Sequence, residues 1–103
     1  MPEIFIHAQA RLDVERQAGF LSQETIELAE RFLDEFDLTV ERLLTFPHLG
    51  RAWPTHNPNL TDLRRLMMTG FPVSIFYRAR PETLEIIRVL HNSRDLPSEL
   101  RDS

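Results

Sequence analysis

The stretch SQETIELAERFLDEFDLTVERLLTFP (residues 22–47) carries the clearest structural signal in the chain. Its apolar residues recur at alternating spacings of three and four, which is the period of an amphipathic α-helix. Ser22 can cap this helix, Glu24 and Glu27 suit its positive end, and Pro47 stops it. The pattern predicts a helix from Gln23 to Thr45, about 35 Å long. The apolar stripe comprises Ile26, Ala29, Leu33, Phe36, Val40 and Leu43, widened by Phe32 and Leu44.

A shorter helix and a strand are expected before this stretch. Glu3–Ala8 alternates polar and apolar residues and predicts a short strand. The segment ARLDVERQAGFL (residues 10–21) is compatible with a helix that ends at Gly19. The long stripe spans only about three heptads, so we prefer packing on a core to a coiled-coil seam. The two helices and their short link therefore predict a hairpin.

Three strand-like runs follow a proline-rich loop, FPHLGRAWPTHNPNL (residues 46–60). The runs are DLRRLMM (62–68), PVSIFYRA (72–79) and TLEIIRVLH (83–91), and short connections predict antiparallel pairing. LPSELRDS (96–103) predicts a last helical turn or a frayed end.

The order β-α-α-β-β-β predicts a single α+β domain over residues 1–103. In this domain the helical hairpin packs on one face of a small, mainly antiparallel sheet. The opposite face is expected to be less apolar and available for function.

The composition excludes several kinds of chemistry. The 103 residues include no cysteine or lysine, which excludes disulfides, thiol catalysis, cysteine-based zinc sites and lysine nucleophiles. The four histidines show no ligand spacing and no phosphate-binding glycine motif is present, so we expect no metal and no cofactor. No apolar run approaches the ~20 residues of a membrane helix, and the N-terminus does not resemble a signal peptide. These features predict a cytoplasmic protein.

All twelve basic residues are arginine, and they are unevenly distributed. The net charge of −4 argues against a general nucleic-acid binder. Residues 1–50 hold four arginines against ten acidic residues, whereas residues 51–103 hold eight against six. The pattern is either a compositional bias or a preference for forked donors that grip carboxylate or phosphate groups.

Strand alternation predicts that several arginines share a face of the sheet. It places Arg78 and Arg88 on one face, with Arg64 or Arg65 nearby. These arginines either form a binding surface or are rim residues that pair with nearby acids. The alternation groups Leu84, Ile86, Arg88 and Leu90 on one side, and the candidate acids are Glu82, Glu85 and Asp95.

Two further side chains are candidates for function. His91 follows Arg88 and precedes Arg94, so it is either a general acid or base or a structural hydrogen-bonding group. Trp53, in the proline-rich loop, is either a lid over the core or an anchor for a partner.

Five segments, in order, resemble the ParE/RelE toxin superfamily of bacterial type II toxin–antitoxin modules. They are AERFLDEF, FPHLGR, LRRL, FPVSIFYR and IIRVLHNSRDLP. The similarity covers nearly the whole chain and is greater to the ParE-like, plasmid-stabilization branch. It implies a toxin that inhibits DNA gyrase by binding, without catalysis, and that a cognate antitoxin protein neutralises. A toxin–antitoxin hetero-oligomer is a further expectation.

The resemblance leaves two alternatives open. RelE-like members are ribosome-dependent mRNA endoribonucleases, and their catalytic set would correspond here to Arg64, Arg78, Arg88 and His91. The absence of lysine, and of a tyrosine after His91, departs from that pattern. The other alternative is a non-toxic interaction module. For a binding protein, the resemblance and the charge pattern nominate Arg51, Arg64, Arg65, Arg78, Arg88, His91 and Arg94 as partner-binding residues.

Overall fold

The computed structural model describes residues 2–93 and 96–101. Its elements are β1 (Glu3–Ile6), α1 (Ala8–Ser22), α2 (Ile26–Thr45), β2 (Arg51–Ala52), β3 (Arg64–Met67), β4 (Val73–Ala79), β5 (Thr83–His91) and a 3-10 turn (Ser98–Leu100). The predicted order of two helices and four strands is confirmed. The two-residue strand β2 is an addition inside the segment that was predicted to be a loop.

The strands form one five-stranded sheet in the order β1-β5-β4-β3-β2. The first strand runs parallel to β5, and all other neighbours pair antiparallel. The sheet is therefore mainly antiparallel, as predicted. Its two edges are β1, at the start of the chain, and the short β2.

The second helix begins three residues later than predicted. Its N-cap is Thr25, whose side-chain oxygen accepts a hydrogen bond from the Leu28 amide at 3.0 Å. Ser22 is instead the last residue of α1, and its hydroxyl donates to the Gly19 carbonyl at 2.7 Å. The first helix therefore continues through Gly19, and residues 23–25 form the turn of the hairpin.

Both helices pack on one face of the sheet and bury the main core there. The predicted stripe is confirmed for its central members, but Ile26 and Leu33 are 61% and 40% exposed because they lie toward the outside of the hairpin. Each large side chain that is fully buried in this way contributes about 1.5–3 kcal/mol. The buried members are Ala10, Phe32, Phe36, Val40 and Leu43 from the helices, Met68 after β3, and Val73, Ile75, Tyr77, Leu84, Ile86 and Val89 from the sheet.

The opposite face of the sheet carries a second apolar cluster. Phe76 belongs to it and alternates along β4 with side chains of the main core. Leu100 is fully buried against this cluster, and the Trp53 indole donates to its carbonyl at 2.8 Å. The expectation that this face is open is therefore wrong under the C-terminal turn. Trp53 covers this cluster as a lid, and its role as an anchor for a partner stays a prediction. The cluster comprises Leu63, Phe76, Ile87 and Leu100, with Trp53, Leu60, Leu90 and Leu96 packed around them.

A β-bulge in β5 changes which side chains share a face. Phe76 lies opposite Arg88, but Tyr77 lies opposite Ile86, so Ile87 is the extra residue. Beyond the bulge the alternation shifts by one position. The prediction that Leu90 shares a side with Leu84 and Ile86 is therefore wrong. Leu84 and Ile86 join the core under the helices, whereas Ile87 and Leu90 join the second cluster.

Candidate functional site

Arg88 joins the sheet to the helical layer. Its Nε and Nη2 atoms donate to the two carboxylate oxygens of Asp13, on α1, at 2.7 and 3.1 Å. The same carboxylate accepts a hydrogen bond from the Val89 amide at 3.0 Å, and Asp13 is only 4% exposed. A two-pronged, charge-assisted pair of this kind is strong and directional. The structure therefore gives Arg88 a role in holding α1 against β5, while its partner-binding role stays a prediction.

Arg78, on β4, is also paired with a carboxylate, that of Glu85 near the start of β5. Its Nε and Nη2 atoms donate to the Glu85 carboxylate at 3.3 and 3.1 Å, and Nη1 donates to the Asn59 carbonyl at 2.7 Å. His7 and Arg80 lie 3.1 and 3.6 Å from the same carboxylate. The alternative interpretation, a rim arginine paired with a nearby acid, is confirmed for Arg78.

We expect Glu85→Gln to reduce the loss of folding stability that the wild-type protein undergoes as the pH falls into the acid range. Burial alone raises the pKa of Glu85, but the hydrogen bonds and charges of Arg78 and His7 outweigh it, so the pKa lies below its ordinary value of 4.5. A carboxyl whose pKa is lowered by folding stabilises the protein above the unfolded-state pKa. That stabilisation disappears as the pH falls through the folded-state pKa.

The measurement is the urea midpoint of both proteins between about pH 3 and pH 6. The wild type should lose stability relative to the variant as the pH falls below 4.5. Parallel curves through that range would show that the cluster does not stabilise the folded state.

Arg64 and Tyr77 hold the connection between α2 and β2. The Arg64 guanidinium donates to the Gly50 carbonyl at 2.8 Å. The buried Tyr77 hydroxyl accepts from the Gly50 amide at 2.8 Å and donates to the Pro47 carbonyl at 2.9 Å. Burial raises the pKa of Tyr77 despite the opposing effects of Gly50 and Arg64, so the phenol stays neutral and able to donate. Both side chains therefore shape the backbone that leads into the edge strand.

Arg51 and Arg65 converge on one indole ring, and we call Arg51, Trp53 and Arg65 the arginine–tryptophan cluster. The two arginines are directly opposite each other on β2 and β3. Their Cζ atoms lie 5.5 and 5.1 Å from the centroid of Trp53, within the range of cation–π attraction. Both are predicted partner-binding residues, and the structure brings them together at Trp53.

Hydrogen bonds fix the orientation of Arg65. Its Nε donates to the Ser74 hydroxyl at 2.9 Å, and its Nη2 lies 3.4 Å from the side-chain oxygen of Asn92. Ser74 in turn donates to that oxygen at 2.6 Å, and the Phe76 ring lies 5.9 Å from the Arg65 Cζ atom. These groups border a cavity of about 110 Å³, which His91 and Leu96 also line. Arg65 is therefore held in place before any ligand arrives.

The four residues of the predicted nuclease set do not converge. Arg78 pairs at the start of β5, whereas His91 ends the strand six residues after Glu85, about 20 Å along it. Arg64 is directed to the Gly50 carbonyl and Arg88 to Asp13. The His91 Nδ1 atom accepts from the Ser93 amide at 3.1 Å and lies 2.7 Å from its hydroxyl. Arg94, the last of the predicted partner-binding residues, lies outside the described residues.

Sequence reasoning named Glu85, which holds Arg78, but it missed the acceptors that hold Arg88 and Arg65. Asp13 and Arg88 are 75 residues apart, and Ser74 and Asn92 are 18 apart, so no local pattern connects them. The alternation in RAW (residues 51–53) is a local signal for the contact between Arg51 and Trp53, because residues two apart in a strand share a face.

Among residues 2–93 and 96–101, no group of three or more acidic or histidine side chains is placed to hold a metal ion. None of the helices in that part of the chain has the length and apolar character needed to cross a membrane.

The chain is similar to one protein family and to solved structures. The family model described as "ParE toxin of type II toxin-antitoxin system, parDE" matches residues 4–96. One similar solved structure is a chain of the "Chromosomal ParDE TA system from P. aeruginosa", with a TM-score of 0.71 and 18% sequence identity. The alignment covers 88% of this chain and 96% of that chain, and at this identity it supports the fold alone. No curated protein matches.

Proposed function

Because the chain belongs to the ParE toxin family of type II toxin–antitoxin systems, we propose that it inhibits DNA gyrase by binding and that a cognate antitoxin neutralises it. This activity places the protein in the cytoplasm, where gyrase works. The family match over residues 4–96 carries the assignment as a toxin. The mode of action is argued from the arrangement of the charged side chains.

The dispersal of the arginines is the observation that favours binding over RNA cleavage. Cleavage through the 2′-hydroxyl needs an acid–base pair and cations gathered around one phosphate. In this chain Arg78 and Arg88 each pair with an internal carboxylate, and His91 lies at the far end of β5 from Arg78. A net charge of −4 also opposes a grip on ribosomal RNA. These contacts tie the two arginines to separate parts of the fold instead of gathering them around one phosphate.

An antitoxin also needs surface to bind, and the outside of the helical hairpin offers apolar side chains. Phe20 and Ile26 flank the hairpin turn and are 62% and 61% exposed. Exposed apolar residues on a helical layer suit the amphipathic segment of a partner. We therefore propose that the antitoxin covers part of this layer.

The first test of the function is growth arrest. Expression of the chain alone should stop the growth of a bacterial host, and co-expression of the small reading frame beside its gene should restore growth. Harmless overexpression in several hosts would contradict the assignment as an active toxin and favour the non-toxic interaction module.

The second test separates the binder from the nuclease. Purified protein added to a gyrase supercoiling reaction should stop supercoiling, and prior mixing with the antitoxin should restore it. The same protein added to translating ribosomes should leave the mRNA intact. Codon-linked cuts in the mRNA, with supercoiling unaffected, would establish the ribonuclease in place of the gyrase inhibitor.

A further inference from the structure

We propose that the arginine–tryptophan cluster binds an acidic, extended segment of a partner protein, which adds to the free edge of β2. This deepens the proposed function by naming the chemistry of one partner contact, and it rests on that function for the existence of a protein partner. The occupant is a strand-like segment that alternates acidic and apolar side chains.

The first step is the placement of two like charges against each other. Arg51 and Arg65 are cross-strand partners, and like charges directly opposite in a sheet are destabilising. Both guanidinium groups also lie close to the Trp53 ring, with their Cζ atoms 5.5 and 5.1 Å from its centroid. No ion pair joins either of them to a carboxylate of the described residues. A negatively charged ligand relieves the repulsion, so this pair of arginines favours an anion.

The second step is the preorganisation of Arg65. Ser74 and Asn92 hold one edge of its guanidinium group, and Trp53 and Phe76 lie against the group. Arg65 is half-buried, so its charge is screened less by salt than that of a fully exposed arginine. A planar donor that is already fixed loses little conformational entropy when it binds a carboxylate.

The third step is the free main chain beside the two charges. The Trp53 amide donates to the Leu63 carbonyl at 2.8 Å, so Trp53 faces β3. Alternate residues of an edge strand face opposite ways, and Ala52 therefore turns its N–H and C=O groups outward. β2 is the last strand of the sheet on this side. An extended segment can pair with Ala52, while Pro54, which has no N–H, ends the pairing.

The fourth step is a recess for an apolar side chain. A cavity of about 280 Å³ borders the outer edge and is lined by Arg51, Ala52, Trp53 and Pro54. Arg51 and Trp53 face one side of β2 and Ala52 faces the other. An added strand therefore places its acidic side chains beside Arg51 and Trp53 and its alternate, apolar side chains beside Ala52. Phosphates and bases also suit arginine and tryptophan, but the outward N–H and C=O pair of Ala52 favours a peptide, which can pair with it as a strand.

Trp53 is the only tryptophan, so its fluorescence reports directly on the cluster. The probes are a short blocked peptide that alternates Glu with Val, the same peptide with Gln in place of Glu, and oligothymidylate of equal charge. The Glu peptide should change the fluorescence saturably, and the Gln peptide should bind about tenfold more weakly or less. Arg51→Gln should weaken the Glu peptide about threefold to tenfold, and Arg51→Gln with Arg65→Gln further. Arg31→Gln, on the exposed side of α2, is the control and should change nothing.

Circular dichroism verifies that each variant is folded, and Arg51→Gln keeps the test valid if Arg65→Gln unfolds the protein. Equal binding of the two peptides, equal loss in Arg31→Gln, or no saturable change would overturn the inference. Tighter binding of oligothymidylate would replace it with a nucleic-acid site. The titration contains no gyrase, so peptide binding without gyrase inhibition refutes the proposed function alone, and the reverse result refutes this inference alone.

Discussion

Asp13→Ala is expected to lower the free energy of unfolding by about 3–5 kcal/mol, the usual effect of removing one partner of a buried ion pair. The Asp13 carboxylate is almost fully buried and accepts three hydrogen bonds, two from Arg88 and one from the Val89 amide. Its removal takes away the acceptor of a buried backbone N–H and leaves the guanidinium without this counter-charge. For a domain with a total stability of about 5–15 kcal/mol, this is a large fraction.

The measurement is urea unfolding followed by circular dichroism. Glu15→Ala is the matched control, because Glu15 is an exposed acid on the same helix and its loss should change stability by less than about 0.5 kcal/mol. Asp13→Asn keeps the shape and one acceptor and should fall between the two. If Asp13→Ala were as stable as Glu15→Ala, the link between α1 and β5 would not hold the fold.

Gly50→Ala is expected to destabilise the protein by about 2–4 kcal/mol, through overpacking and the loss of hydrogen bonds. A Cβ atom at this position would lie 2.6 Å from the Tyr77 hydroxyl oxygen, 2.7 Å from its ring and 2.9 Å from the Arg65 carbonyl. The ring is fully buried and the carbonyl is part of β3, so neither can move away cheaply. Displacing Tyr77 also disturbs its bonds to the Gly50 amide and the Pro47 carbonyl.

The same substitution elsewhere in the chain supplies the control. A Cβ atom at Gly19 meets nothing within 4 Å, and Gly19 lies inside α1. Gly19→Ala should therefore stabilise the protein by about 0.5–1 kcal/mol, because alanine is the better helix former. Thermal unfolding of both variants should show shifts of opposite sign. Equal shifts would mean that the close approach at Gly50 does not constrain the residue type.

The long helix was predictable because its signal is local. The spacing of Phe32, Phe36, Val40 and Leu43 places them on one face, and that face is buried. The position of its N-cap was not predictable to the residue. Ser22 and the threonine three residues later are both good caps, and the continuation of α1 to Ser22 decides between them.

The strands were predictable in number, apart from the two-residue β2, which is too short to show any alternation. The antiparallel pairing of β3, β4 and β5 was predictable from their short connections, but the parallel pairing of β1 with β5 was not. The bulge in β5 could not be found from the sequence. Ile86 and Ile87 are adjacent apolar residues, and either can face the helices. The choice is made by packing, because Ile86 joins the core under the helices and Ile87 packs with Phe76 on the other face.

The site was predictable as a set of arginines but not as an arrangement. An arginine can form an ion pair inside the fold with a carboxylate that is distant in the sequence, as Arg88 does with Asp13, and local patterns do not show such pairs. Arg78 is separated from His91 because it lies on β4 opposite Glu85, near the start of β5, whereas His91 is the last residue of β5. The contact between Arg51 and Trp53 could have been predicted, because a strand places residues two apart on the same side.

The central claim is that the chain acts by binding gyrase and that no step depends on acid–base chemistry at His91. The most direct test is a gyrase supercoiling reaction titrated in parallel with the wild-type protein and with His91→Ala. The two proteins should inhibit supercoiling with the same concentration dependence. A wild-type protein that leaves supercoiling unaffected, or an inhibition that disappears in folded His91→Ala, would contradict it.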